Sequence, residues 1–493
     1  MARLNISRTM STQHPDNVNN PFFADSPIIG GDDEIKEAFY AFSHLQSKEQ
    51  LWDIEGKEVD NYVVKKLLSR YEPYFSKNRL GKDIFLTVRV PNPDEEKNES
   101  KIMLEALESI PRSFDISKAV YGDDVAPIFE IAVPMISNAK QVTRVHKFYN
   151  EHIIGRAKKS LLPGDISIGE WFGGFYPENI SVIPLIEDIE HILEAHNIVR
   201  KHLENIKTPE YQRVWLARSD PALNYGSIAA VLANKIAAQN LHHLSDNISV
   251  ELPTILGCGS APFRGNFKPT NAISNGLKGF PSIQTFTIQS AYKYDYPEKE
   301  VRTSIEELND TKRGRPTQID EAQAKAIITK TSLLYKKQVA LLAPLINKFS
   351  VHIPKRRKRK LHIGLFGYSR ASDGVKLPRA ITFCAVLYSL GLPPELLGLS
   401  TASEKELDFI RDVSPSFNQD MTDSLQFLNR ENLSFFPPEI VKDIERLTAQ
   451  FDPSIDRAHQ KITSIILEDY KKNNTVALSE NISRAASIRG FLG

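Results

Sequence analysis

Apolar residues gather into short runs that alternate with longer stretches of helical periodicity. The clearest unit spans Ile180 to Gly226. Val182–Ile186 and Val214–Ala217 are each of strand length. Between them Ile189, Ile192, Leu193, Val199, Leu203 and Ile206 share one face of an amphipathic helix. The pattern predicts a β-α-β unit. Further strand-like runs are Leu51–Glu55, Ile84–Val90, Pro127–Ile136, Pro253–Gly257, Ile283–Gln289 and Leu361–Phe366. Eight such runs, most separated by one helical pattern, predict an α/β fold: a closed (β/α)8 TIM-type barrel with additional helices. An open doubly wound sheet is the competitor, but no dinucleotide fingerprint is present. The expected organisation is an N-terminal arm and helix over 1–50, the barrel over 51–370 and a helical C-terminal region over 371–493. That last region is expected to pack on the barrel and to offer an oligomer surface.

Composition narrows the class. With 493 residues, 41% of them hydrophobic and 25% charged, the chain is long enough for a large core plus an appended region. The formal net charge of +1 predicts no global attraction to nucleic acid or to acidic membranes. Two cysteines, Cys258 and Cys384, exclude a disulfide scaffold and fit a reducing, cytoplasmic setting. The first residues contain no apolar signal-like core, and no run is long enough to span a bilayer.

Candidate chemistry collects at the carboxyl ends of the predicted strands, the edge where parallel α/β folds place their sites. Glu187 and Asp220 follow neighbouring strands. Two carboxylates so placed can share one hard cation such as Mg²⁺, or can simply cap the helices that follow them. Arg89 and Arg370 also fall at strand ends, and a guanidinium fork matches carboxylate and phosphate oxygens. The loop Gly257–Gly265, which contains Ser260 and Arg264, reads equally as an anion cradle or as a barrel-corner turn. Cys258 within it reads as a small core residue. His14 lies in a polar, proline-punctuated stretch. It is either a general base folded over the mouth or part of a disordered arm. The basic run Lys355–Lys360 precedes the predicted last strand. It is therefore expected at the foot of the barrel, as a solvated connection or a subunit contact. Loops around Trp171–Phe175 and Asp310–Gln318 are candidate lids.

Taken together, Thr9–Asn17, Pro184–Glu190, Leu216–Gly226, Gly259–Gly265 and Leu377–Ile381 resemble the short, archaeal-type form of the phosphoenolpyruvate carboxylase family, over essentially the whole chain. The resemblance implies a metal-dependent carboxylation of phosphoenolpyruvate with bicarbonate. The products are oxaloacetate and phosphate, formed through carboxyphosphate and pyruvate enolate, in a homotetramer without nucleic-acid or membrane partners. It implies Glu187 and Asp220 as ligands to Mg²⁺ or Mn²⁺, and His14, Arg264 and Arg370 as catalytic groups. Arg89, Ser260, Arg264, Arg370 and Arg379 are implied as substrate ligands. Two features depart from the long form of the family. Leu223 stands where a lysine is expected, and the glycine-rich loop retains one arginine, so a phosphate ligand is missing that Lys293 or Arg218 could supply. Other readings of the residues are a pyruvate-enolate aldolase or lyase on the same barrel, and a nucleic-acid scaffold using the basic run.

Overall fold

The computed structural model describes residues 6–54, 60–358, 375–451 and 454–493. Its centre is a closed, all-parallel barrel of eight strands in chain order. These are β1 (Thr9–Ser11), β2 (Glu49–Asp53), β3 (Phe85–Arg89), β4 (Glu130–Val133), β5 (Ser181–Ile186), β6 (Val214–Ala217), β7 (Thr254–Gly257) and β8 (Thr285–Ile288). The (β/α)8 expectation holds, with a shift in which runs make the strands. The stretch read as the first strand is β2, and Ile283–Gln289, read as the seventh, supplies β8. The ring is completed instead by β1, inside the segment expected to be an arm. Met10 sits opposite Glu49 on one side and Thr287 on the other. Leu361–Phe366, read as the last strand, lies outside the described residues.

The barrel interior is layered. Near the amino ends of the strands Arg213 lies between two buried carboxylates, donating to Glu49 at 2.8 Å and to Glu130 at 2.9 Å. Thr285 completes this polar layer at 3.1 Å from the Arg213 guanidinium. Above it Met10, Leu51, Ile183, Leu185, Trp215 and Ile255 form an apolar plug, so the barrel is a packed core and not a pore. Polar side chains return at the carboxyl ends, where the site lies.

Helices surround the barrel where the periodicity predicts them, among them Ser227–Ile248, Glu321–Ser350, Pro438–Thr448 and Thr475–Arg489. Reciprocal caps at Asn138/Gln141 and Ser403/Glu406 start two others. The single helix expected between β5 and β6 is two, Ile189–Leu193 and Ala195–Leu203, because the backbone leaves helical geometry at Glu194. Among the described residues no single helix is long and apolar enough to cross a membrane.

The loop 311–318 approaches the wrong end of the barrel for a lid. Arg313 pairs with Glu251 just before β7, and Gly314 donates to the Pro281 carbonyl just before β8. The stretch around Trp171–Phe175 likewise leads into the amino end of β5. Neither lines the mouth.

Candidate active site

Strand ends fix the polar groups of the mouth. β1 stops at Ser11, and the chain turns through Thr12, Gln13, His14 and Pro15. His14 thus lies in the turn directly after a barrel strand and is no disordered arm. Its Nδ1 lies 2.8 Å from the Thr12 hydroxyl. Gln13 accepts the Asp53 N–H at 3.0 Å, which ties this turn to the end of β2. Asp53 and Arg89 end β2 and β3 directly opposite each other and form a bidentate pair, at 2.8 and 2.7 Å. Glu187 follows β5, is buried, and accepts the Met135 N–H at 3.0 Å. Asp220 is the second residue of the helix Ser219–Tyr225 that follows β6. That helix is anchored from behind by the Tyr335 hydroxyl, which donates to the Leu223 carbonyl at 2.8 Å.

These groups share one cavity of about 640 Å³, lined by His14, Arg89, Glu187, Asp220, Arg264 and Arg379 among others. Of the residues expected at the site, Arg370 lies outside the described residues. Ser260 is buried and donates its hydroxyl to the Phe267 carbonyl at 3.2 Å, away from the cavity.

The glycine-rich loop after β7 is a seat for a guanidinium. Several amides in and just after the loop are engaged within it: Gly259 donates to Arg264, Arg264 to Ala261, Gly265 to Pro262, Asn266 to Ala261 and Phe267 to Gly259. A Cβ at Gly259 would sit 2.9 Å from the Arg264 guanidinium carbon, so glycine is what lets Arg264 lie flat against the loop. Arg264 is itself largely committed, with four of its five N–H donors on protein acceptors. It donates to Ser219 at 3.1 Å, Asp16 at 3.1 Å, the Gly493 carbonyl at 2.7 Å and the Gln289 side chain. Cys258 is a core residue, its thiol pushed up to about 12 by burial.

The basic run is where sequence reasoning was most displaced. Because the barrel closes at Ile288, the segment that follows the long helix is free to cross the mouth. Ile29 donates to the Arg356 carbonyl and accepts from the Lys358 N–H, both at 2.9 Å. Lys355, Arg356, Arg357 and Lys358 therefore line the cavity, not the foot of the barrel. Behind them lies a buried collar. Glu37 accepts from Arg357 on both oxygens, at 2.7 and 2.5 Å, from Lys293 at 2.9 Å and from Tyr294 at 2.6 Å. Lys293 also donates to Ser11 and to the Thr12 carbonyl, each at 3.0 Å, so the collar holds the His14 turn. Lys293 and Arg218, expected as stand-ins for the missing phosphate ligand, are both buried and neither lines the cavity.

Burial alone would favour a neutral Glu37, but Arg357 and Lys293 outweigh it and hold the carboxyl well below its ordinary 4.5. A depressed carboxylate contributes stability that is present above that value and is lost as pH falls below it. Thermal melting should therefore show wild-type stability dropping in acid below about pH 4.5. Glu37→Gln should melt lower at neutral pH, by roughly 3–5 kcal/mol for two buried cations that lose their shared carboxylate, and should lack that acid decline. Parallel pH profiles for the two proteins would remove Glu37 as the group responsible.

A family model described as phosphoenolpyruvate carboxylase matches residues 6–493. The chain belongs to that family. Curated relatives with that name include one from Methanothermobacter thermautotrophicus, 47% identical over 99% of this chain and 100% of its own length. Another, from Methanospirillum hungatei, is 47% identical over the same shares. One from Pyrococcus abyssi is 44% identical, again over 99% and 100%. The phosphoenolpyruvate carboxylase family is a family of carboxy-lyases, and the cavity at the barrel mouth is where this chain gathers acids, arginines and one imidazole.

Proposed function

We propose that the mouth of the barrel converts phosphoenolpyruvate and bicarbonate to oxaloacetate and phosphate, with Glu187 and Asp220 holding a divalent cation, Mg²⁺ or Mn²⁺. The supporting observation is convergence. An imidazole after β1, an arginine ending β3, carboxylates after β5 and β6 and an arginine after β7 line one cavity. The family generally depends on a metal. Among the described residues no group of three or more His, Cys, Asp or Glu side chains is placed to hold one. A two-carboxylate seat still suits Mg²⁺, which is commonly held by one or two carboxylates together with water and substrate oxygens. When bound, the cation supplies positive charge where the enolate oxygen develops.

The chain's own residues carry the rest. A bicarbonate oxygen attacks phosphorus and the bond from phosphorus to the enol oxygen breaks, giving carboxyphosphate and the pyruvate enolate. Arg89 and Arg379 face the charge on the transferring group. Arg264 faces it too, while four of its five N–H donors stay on protein acceptors. His14 takes the carboxyphosphate proton. The bond from carbon to the phosphate oxygen then breaks, and the CO₂ released is attacked by C3 of the enolate. A proton on Nδ1, donated to Thr12, leaves Nε2 as the accepting atom. Keeping CO₂ beside the enolate supplies the proximity advantage, and excluding water prevents its protonation to pyruvate.

The chain is proposed to assemble as a homotetramer. Exposed large apolar side chains concentrate at Leu161, Leu162, Ile166, Trp171 and Phe172, a composition that suits a subunit contact.

The test is oxaloacetate formation from phosphoenolpyruvate with and without bicarbonate, in Mg²⁺ or Mn²⁺, for wild type and Glu187→Gln. Wild type should need bicarbonate and release phosphate with oxaloacetate. Glu187→Gln should lose at least about two orders of magnitude and a measurable share of its metal affinity. Full activity in that variant would move the cation elsewhere.

A further inference from the structure

The reaction brings two anions into one cavity, and most of the cations nearby are already committed. Arg89 is forked onto Asp53, and Arg264 has four protein acceptors. Arg357 and Lys293 are locked onto Glu37. In the loop after β7 the Gly259, Arg264 and Gly265 amides are bonded within the loop itself. Arg356 differs. It lines the cavity and is only 9% exposed. Its Nε donates to the Asn17 carbonyl at 3.0 Å. Its two terminal nitrogens meet no protein partner among the described residues, and no carboxylate there lies within ion-pair distance of it. A nearly buried guanidinium with an unfilled fork is costly unless an anion completes it. Its position is also built. The main-chain bridge to Ile29 and the neighbouring Arg357–Glu37 clamp fix the segment before any ligand arrives.

We infer that Arg356 is the phosphate ligand that the glycine-rich loop lacks: its terminal nitrogens bind the phosphoryl oxygens of phosphoenolpyruvate, with Lys355 and Lys358 raising the positive potential at the rim. This rests on the reading of the cavity as the active site. The planar fork suits two phosphate oxygens at once, which a lysine point charge does not. A merely structural Arg356 would do no more than brace Asn17, three residues beyond His14.

The experiment compares wild type, Arg356→Gln and Arg356→Lys by steady-state kinetics, and by calorimetric binding of inorganic phosphate. Arg356→Gln should raise the KM for phosphoenolpyruvate and weaken phosphate binding by about tenfold or more, the loss of a charge-assisted hydrogen bond. The KM for bicarbonate should stay within about twofold and kcat should change less than the KM for phosphoenolpyruvate. Arg356→Lys should fall between, near threefold, because charge is kept and the fork is lost. Should Arg356→Gln fail to fold, the Lys variant decides on the same two readouts. Wild-type values for phosphoenolpyruvate and phosphate in folded variants, or a rise confined to bicarbonate, would overturn the assignment. A wild type that binds phosphate but makes no oxaloacetate counts against the reaction alone, since phosphate binding still reports on Arg356.

Discussion

Replacing His14 by Asn is expected to uncouple the two halves of the reaction. Asn keeps a polar group near Thr12 but cannot take the carboxyphosphate proton. Phosphoryl transfer to bicarbonate does not need that proton removed, so phosphoenolpyruvate should still be consumed. The enolate then waits without CO₂ and is protonated to pyruvate. Oxaloacetate formation should fall by about 10²–10⁴-fold, the usual range for a general base, while pyruvate becomes the main product. Parallel malate dehydrogenase and lactate dehydrogenase coupled assays read the two products separately. The geometry behind this is firm: His14 follows a strand paired on both sides, and Thr12 donates its own N–H to the Ile288 carbonyl at 3.0 Å. An oxaloacetate yield equal to wild type would take His14 out of the mechanism.

The second large effect lies at the opposite end of the barrel. Arg213→Met keeps the volume of the side chain but leaves Glu49 and Glu130 facing each other in a buried layer. Removing one partner of such a group costs about 3–5 kcal/mol, because the charges left behind have neither water nor a counterion. Chemical unfolding at neutral pH should show that loss. The pH dependence carries the cause. Burial already pushes the Glu130 carboxyl up in the wild type, with Arg213 opposing the shift. A raised carboxylate is easiest to accommodate in acid, where it is neutral, and destabilises as pH rises. The deficit of Arg213→Met relative to wild type should therefore shrink toward pH 4. A deficit that does not change with pH would point to packing and not to charge.

Periodicity made much of this architecture legible. β5 and β6 are long enough and apolar enough to read directly, and the acids that follow them fall where a parallel barrel puts its chemistry. β1 could not be read that way. It is three residues, Thr-Met-Ser, and its strand character comes from ladders on both sides and not from its own pattern. Missing it displaced the count by one strand and led to a last strand being sought beyond Lys360. That error in turn placed the basic run at the wrong end of the molecule. Its signal was present in another form, since Thr9, Ser11, Thr12, Gln13, Asp16 and Asn17 are all buried. A polar stretch that dense in hydrogen-bonding side chains is built to be enclosed. The glycine loop misled for a related reason. Glycine marks close approach, and the sequence does not say whether a ligand or the chain's own Arg264 makes it.

The short first strand has a consequence for how the protein is made. The ring closes only when Met10 finds both Glu49 and Thr287. Until the chain has been synthesised through β8, β1 has only one of its neighbours. Contacts so distant in sequence form late and slowly. During that interval an apolar strand would offer a sticky edge to other chains. Thr9 and Ser11 make it an edge that water tolerates. The same polarity that hid β1 from a hydrophobicity pattern lets the half-made barrel wait for its seam.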